Sequence, residues 1–177
     1  MPTMTNRKFL LGFALLVACA LGPGAPDRDC VTRDLVIGLE AFPPGGNSTS
    51  VNRSSAPIVD NAYRGVYYVE GPTTYKVARF PNANGAKRDF EQRKEHDLGW
   101  PRSESLAPKA TVYRSGVADQ QYLLCDEGLC IYFARYQEYT TMVAANMGPN
   151  MTGEALNKVI MEVDRKMTEC LAKPVLK

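Results

Sequence analysis

The sequence predicts an α+β fold: a mostly antiparallel sheet of five or six strands with packed helices, in a single disulfide-stabilised domain. Three observations carry this expectation. Strand candidates between Thr111 and Met147 follow one another so closely that only antiparallel neighbours can be joined, because parallel pairs need a long crossover. Leu156, Val159, Ile160, Val163, Met167, Cys170 and Leu171 then recur at i, i+3, i+4 and i+7 with charge opposite, the stripe of a helix laid on a sheet. Cys30, Cys125, Cys130 and Cys170 are an even set of thiols spread across the folded part.

In chain order, residues 20–30 read as linker. Leu35, Val36, Leu39 and Phe42 share one helical face over Asp34–Phe42, with Thr32 as N-cap and Pro43-Pro44-Gly45-Gly46 as a stop. Asn47 to Pro57, rich in Ser and Asn, reads as a polar loop. Gly65–Glu70 and Thr74–Phe80 are strand candidates separated by the turn Gly71-Pro72. Asn84–Leu98 reads as a charged helix anchored by Ala86, Phe90 and Leu98, so it should lie on the outside of the fold. Gly99–Pro108 is a loop carrying the lone Trp, Trp100. Strands follow at Thr111–Val117, Gln120–Cys125, Leu129–Tyr136 and Glu138–Met147. The final helix opens at the N-cap Thr152 and stops at Pro174. No internal repeat is visible.

The amino-terminal segment speaks to location. Arg7 and Lys8 precede an apolar run, Phe9 to Val17, too short to span a bilayer comfortably, which is the pattern of an export signal. The run ends in Leu16-Val17-Ala18-Cys19, which resembles the lipobox of bacterial lipoprotein precursors. That resemblance covers the first 19 residues. It implies that the Cys19 thiol is joined to a diacylglycerol, that the chain is cut before it, and that the new amino terminus is acylated. The organisation expected is then a signal peptide over 1–18, a flexible tether over 19–30 and one domain over 31–177. Ala20-Leu21-Gly22-Pro23-Gly24-Ala25-Pro26 has the composition of such a tether. Two other readings stay open: Ala18-Cys19-Ala20 fits an ordinary signal-peptidase site giving a secreted soluble protein, and the run could remain as a short anchor.

Composition narrows the function classes. The chain has 177 residues with 21 Lys plus Arg against 19 Asp plus Glu, and loss of Arg7 and Lys8 with the leader leaves the charge balanced. A balanced chain without a long basic run is not expected to bind nucleic acid, and beyond its acyl chains it has no polybasic patch for anionic lipid. With Cys19 lipidated, the remaining four thiols suggest two bridges in an oxidising compartment, with three connectivities. Cys125 and Cys130 flank Asp126-Glu127-Gly128-Leu129 and can face each other across a hairpin, leaving Cys30 and Cys170 to tie the ends. A zinc site is disfavoured because C-x-x-C spacing is missing and His96 is the only histidine.

Catalytic and cofactor signatures are few. His96 sits in the charged run Arg93-Lys94-Glu95-His96-Asp97 and reads as a solvated helix residue, which weakens any Ser-His-Asp or Cys-His arrangement. A C-x-x-C-H haem site and a phosphate-binding glycine loop are both missing, so no cofactor or metal is expected. Asp126 and Glu127 read as a wet turn, and Asn47, Asn52 and Asn150, each in an N-x-[ST] triplet, as polar turns.

Tyr67, Tyr68, Tyr75, Tyr113, Tyr122, Tyr132, Tyr136 and Tyr139 all fall on strand candidates. They are either good sheet formers inside the core or an aromatic docking face. Under the second reading the partner anchors are Trp100, Tyr136 and Tyr139, the last two flanking the turn Gln137-Glu138.

Residues 120–171 also resemble a pattern in uncharacterised bacterial envelope proteins. Its features are a cysteine-flanked hairpin, Ala134-Arg135-Tyr136 with Tyr139 in the next strand, and a helix carrying Val163-Asp164-Arg165-Lys166-Met167. It implies an extracytoplasmic α+β domain and no activity. The leading expectation is therefore a non-enzymatic lipoprotein anchored on the extracytoplasmic face of a bacterial membrane. It would serve as accessory subunit to an integral membrane partner of respiratory, photosynthetic or transport character. A small-ligand-binding or sensor module is the alternative, and an enzyme the third.

Overall fold

The computed structural model describes residues 30, 32–53, 61–69, 71–99, 113–126 and 128–173. Strands β1 (Asn47–Arg53), β2 (Asn61–Tyr68), β3 (Pro72–Arg79), β4 (Gln120–Asp126), β5 (Leu129–Tyr136) and β6 (Tyr139–Asn146) make one sheet in the order β1-β2-β3-β6-β5-β4. Every neighbouring pair is antiparallel, so the α+β class is as expected. Helix α1 (Ala83–Leu98) follows β3 and α2 (Gly153–Leu171) follows β6. The chain is thus two successive βββα units whose third strands pair at the centre of the sheet, a repetition of architecture that the sequence does not betray.

Both helices begin where side chains take up orphan amides. Asn82 accepts from the Gly85 amide at 2.9 Å, and Thr152 accepts from the Ala155 amide at 3.2 Å. The α2 stripe Leu156, Val159, Ile160, Val163, Met167 and Cys170 is buried. At roughly 1.5–3 kcal/mol per large apolar side chain, this burial outweighs helix propensity in fixing α2. Among its described side chains, helix α1 buries Ala86, Phe90 and Asp97. It packs on the opposite face of the sheet, where Phe90 meets Ile131, Phe133 and Met142.

Three expectations about the backbone are corrected. Asp34–Phe42 is not an α-helix but two 3₁₀ turns, Thr32–Leu35 and Leu39–Ala41, separated by an extended Gly38. The cause is competition for carbonyls: the Tyr75 hydroxyl donates to Leu35 O at 3.0 Å, and the Tyr67 hydroxyl donates to Ile37 O. Asn47–Arg53, expected as loop, is edge strand β1, held by its ladder to β2 rather than by burial, with Val51 exposed. Asn47 and Asn52 therefore lie on a strand, while Asn150 lies in the bend before α2. Tyr113–Val117 is not a strand. Its amides are tied by side chains instead, Tyr113 N to Asn157 Oδ1 and Ser115 N to Gln121 Oε1, both at 2.8 Å.

Two disulfides are present. Cys125 and Cys130 lie directly opposite across the β4–β5 hairpin with Cα atoms 4.1 Å apart, and Cys30 joins Cys170 in the last turn of α2 with Cα atoms 5.5 Å apart. Cys19, Trp100, Glu127 and Pro174 lie outside the described residues.

Candidate functional site

On one face of the sheet the described side chains are core. Tyr67, Tyr75, Tyr132, Tyr136 and Tyr139 point into the core shared with α2 and the 3₁₀ turns. Tyr136 and Tyr139 are both 0% exposed, so neither offers a ring to a partner, and their assignment as docking anchors is overturned. The reason is alternation. The tight turn at Gln137 (φ 53°) keeps Tyr136 and Tyr139 as a directly opposed pair on the α2 face. The Tyr136 hydroxyl donates to Asp164 Oδ1 at 2.7 Å, and the Arg79 guanidinium carbon sits 5.9 Å from the Tyr139 ring centroid. Burial pushes the Tyr75, Tyr132 and Tyr136 hydroxyls well above the ordinary phenol value and Tyr67 up to about 12. These tyrosines are adhesive between sheet and helix.

Opposite that face, the side chains are arranged differently. Directly paired residues form rows across the strands. One row runs Arg64, Lys76, Met142, Phe133 and Tyr122 through β2, β3, β6, β5 and β4. The next runs Ala62, Ala78 and Thr140 through β2, β3 and β6. Helix α1 covers the β4–β5–β6 half, and where it ends the small residues Ala62 and Ala78 leave a depression. The result is a cleft of about 190 Å³, with Lys76, Phe80, Asp89, Arg93, Phe133 and Met142 among its walls. This is below the roughly 300–1,000 Å³ that holds a drug-sized molecule, and it combines an apolar lining with a few converging polar groups.

Electrostatics mark the same place. The Lys76 ammonium is held below the ordinary lysine value, first by burial and then by the positive charges of Arg64 and Arg93. Burial raises the Asp89 carboxyl above the ordinary range, against the opposing effects of the Thr140 hydroxyl (3.1 Å) and Arg93. No described group of three or more His, Cys, Asp or Glu is placed to hold a metal ion.

Helix α1 roofs the cleft and is fastened at its far end through Asp97. That carboxylate accepts from Tyr122 Oη at 2.8 Å and Arg93 Nε at 2.9 Å, and lies 3.1 Å from Nδ1 of the largely exposed His96. Burial alone would raise its pKa, but bonds from His96, Tyr122 and Arg93 outweigh burial and pull it below the usual carboxylate range. A lowered folded-state pKa contributes stability that is complete above the unfolded value near ~4 and lost as pH falls through the folded value. Asp97→Asn should therefore cost roughly 1 kcal/mol at pH 7, and the gap to the parent should narrow as pH falls through the lowered Asp97 pKa, below the ordinary carboxylate range.

A larger groove of about 620 Å³ lies between residues 40–44 and the first half of α2. Most of its charges are paired: Lys158 with Glu154 at 3.2 Å, and Arg165 with Glu162 at 2.6 Å and with Glu169 beyond the groove, while Glu40 adds a negative charge at its wall. Its cations are already taken up by carboxylates on α2 itself, and the cleft beneath α1 is the better candidate.

Arg64 does not stand out in the sequence because the strand read there begins only at Gly65, and Lys76 reads as an ordinary residue of the Thr74–Phe80 strand. A signal existed nonetheless. The two basic residues are equidistant from position 70, just before the Gly71-Pro72 turn, with Ala62 and Ala78 flanking them, and the hairpin register brings each pair face to face. Comparison with family models, characterised proteins and solved structures yields no match for the chain.

Proposed function

We propose that this protein is an exported, lipid-anchored binding module whose cleft between α1 and strands β2, β3 and β6 holds a small ligand. The observation that carries the reading is the cleft itself, with its floor of Ala62, Ala78 and Thr140 and converging Lys76, Asp89 and Arg93. A cross-linked domain suits an oxidising compartment outside the cytoplasm. Attachment is assigned to acylated Cys19 on the resemblance of Leu16-Val17-Ala18-Cys19 to a lipobox. Among the described residues no helix is long and apolar enough to cross a membrane. Chemistry at the cleft is not part of the proposal.

Two measurements test it. Cys19→Ala should move the chain from the membrane fraction to the soluble envelope fraction with an unchanged melting curve. A mature amino terminus without lipid, shown by mass spectrometry, would sink the anchoring. For the cleft, a panel of fragments of mixed charge should shift the Ala78 and Thr140 amide resonances. A panel that leaves both unmoved would remove the ligand-binding reading.

A second reading, an accessory subunit docked on an integral membrane protein, draws on β1. Among the described strands it lies at the sheet edge, and Val51 on it and Tyr68 on β2 are exposed, features that suit strand addition by a partner. Partner retention in mild detergent that is lost in Val51→Pro would favour it.

A further inference from the structure

We infer that the cleft beneath α1 takes the oxyanion of a small, partly apolar molecule, a carboxylate or phosphate group held by Lys76 and Arg93 with Arg64 beside them. The inference rests on that cleft being the ligand site.

Register comes first. Arg64 and Lys76 are directly opposed on neighbouring antiparallel strands, which sets their Cβ atoms about 4.5–5.5 Å apart on one face. Like charges so placed weaken a sheet. None of the ion pairs among the described residues involves either side chain. A third cation, Arg93, reaches the same space from α1, near enough to Lys76 to act on it electrostatically. Lys76 and Arg93 line the cleft, and exposed Arg64 stands beside Lys76 on the sheet. Arg93 already gives its Nε to Asp97 at 2.9 Å, so it is chiefly the repulsion between Lys76 and Arg64 that an anion relieves.

Asp89 is the carboxylate among the described lining residues, and it does not cancel this field. It accepts from Thr140 and interacts with Arg93, and among the described residues Lys76 and Arg64 have no ion pair with a carboxylate. The rest of the lining sets the other half of the ligand. Phe80, Phe133 and Met142 are buried apolar side chains beside the cations. Small Ala62 and Ala78 give a floor on which a flat or short apolar body can lie. Guanidinium groups match the planar oxygens of carboxylate and phosphate alike, so geometry alone admits both.

The experiment is an NMR titration of the full mature chain with benzoate, phenyl phosphate and benzamide, read at the Ala62, Ala78 and Thr140 amides. Benzoate or phenyl phosphate should bind at least about tenfold more tightly than the neutral benzamide, and the tighter of the two identifies the oxyanion. Lys76→Met should weaken that binding at least about tenfold and Arg64→Gln less. Both variants should keep or slightly raise the melting temperature, since each removes a like-charge contact. Equal binding of benzamide and benzoate at these amides would overturn the anion assignment while leaving a ligand cleft. Unchanged affinity in Lys76→Met would overturn it too. Silence from all three probes, the neutral one included, would remove the cleft and the inference together.

Discussion

Replacing Cys30 and Cys170 together by serine should lower the unfolding free energy by about 5 kcal/mol, because their bond closes a loop of sequence separation 140. Cross-linking distant residues removes the most open conformations from the unfolded ensemble, and the gain grows with loop length. The hairpin bridge offers the contrast. Cys125 and Cys130 are separated by five positions, for which the same argument gives only about 2 kcal/mol. Their strands are also paired through the full length of the hairpin, so the bond adds little to register. Denaturant unfolding of the two double-serine variants should rank them clearly. A Cys125/Cys130 variant that loses more than the Cys30/Cys170 variant would show that the loop-entropy account is wrong for this domain.

The second large effect is expected at Asp164. This carboxylate is 4% exposed and accepts from the Tyr113 and Tyr136 hydroxyls at 2.8 and 2.7 Å and from Ser115 Oγ at 2.7 Å. Asp164→Ala strands all three donors at once, and bonds to a charged acceptor are worth about 1.5–3 kcal/mol each before compensation by water. Tyr113 and Ser115 are part-buried and can recover water, whereas Tyr136 cannot. The net loss should be about 3–4 kcal/mol. It should have a local signature as well. Asp164 fastens residues 113–118 to α2, so tryptic cleavage after the exposed Arg114 should accelerate more than global destabilisation explains. Tyr136→Phe, which removes one donor and keeps the ring, should cost about 1–2 kcal/mol and leave Arg114 protected. Equal cleavage rates in both variants would refute this division of labour.

The legible parts of the fold were those in which side-chain pattern and structure share a cause. Helix α2 is fixed by burial of Leu156, Val159, Ile160, Val163 and Met167, and burial is what hydrophobic spacing encodes. Strands β5 and β6 were readable for the same reason, with their short turn forcing an antiparallel pair. Strand β1 was not, because it is an exposed edge held by backbone ladder bonds that any polar sequence can make. The 3₁₀ turns were hidden because tyrosines from distant strands take their carbonyls, a tertiary effect. The candidate site was hardest. Tyr136 and Tyr139 attracted notice as large aromatics near a turn, yet which face they occupy follows from a one-residue difference in turn length. Arg64, Lys76 and Arg93 were ordinary charged residues in sequence and acquire meaning only when register and helix placement bring them together.

If the chain is held by an acylated Cys19, as proposed, the Cys30–Cys170 bond has a mechanical meaning. It turns residues 30 to 170 into a covalent ring, with the sheet and both helices inside it. Tension arriving at Cys30 passes through the sulfurs into the last turn of α2 and bypasses β1, which would otherwise be peeled from the sheet edge first. A ring also tolerates a single cut. A protease that severs one peptide bond between residues 31 and 169 opens the circle without freeing either piece, so the domain should stay whole on a non-reducing gel and fall into two bands once thiol is added.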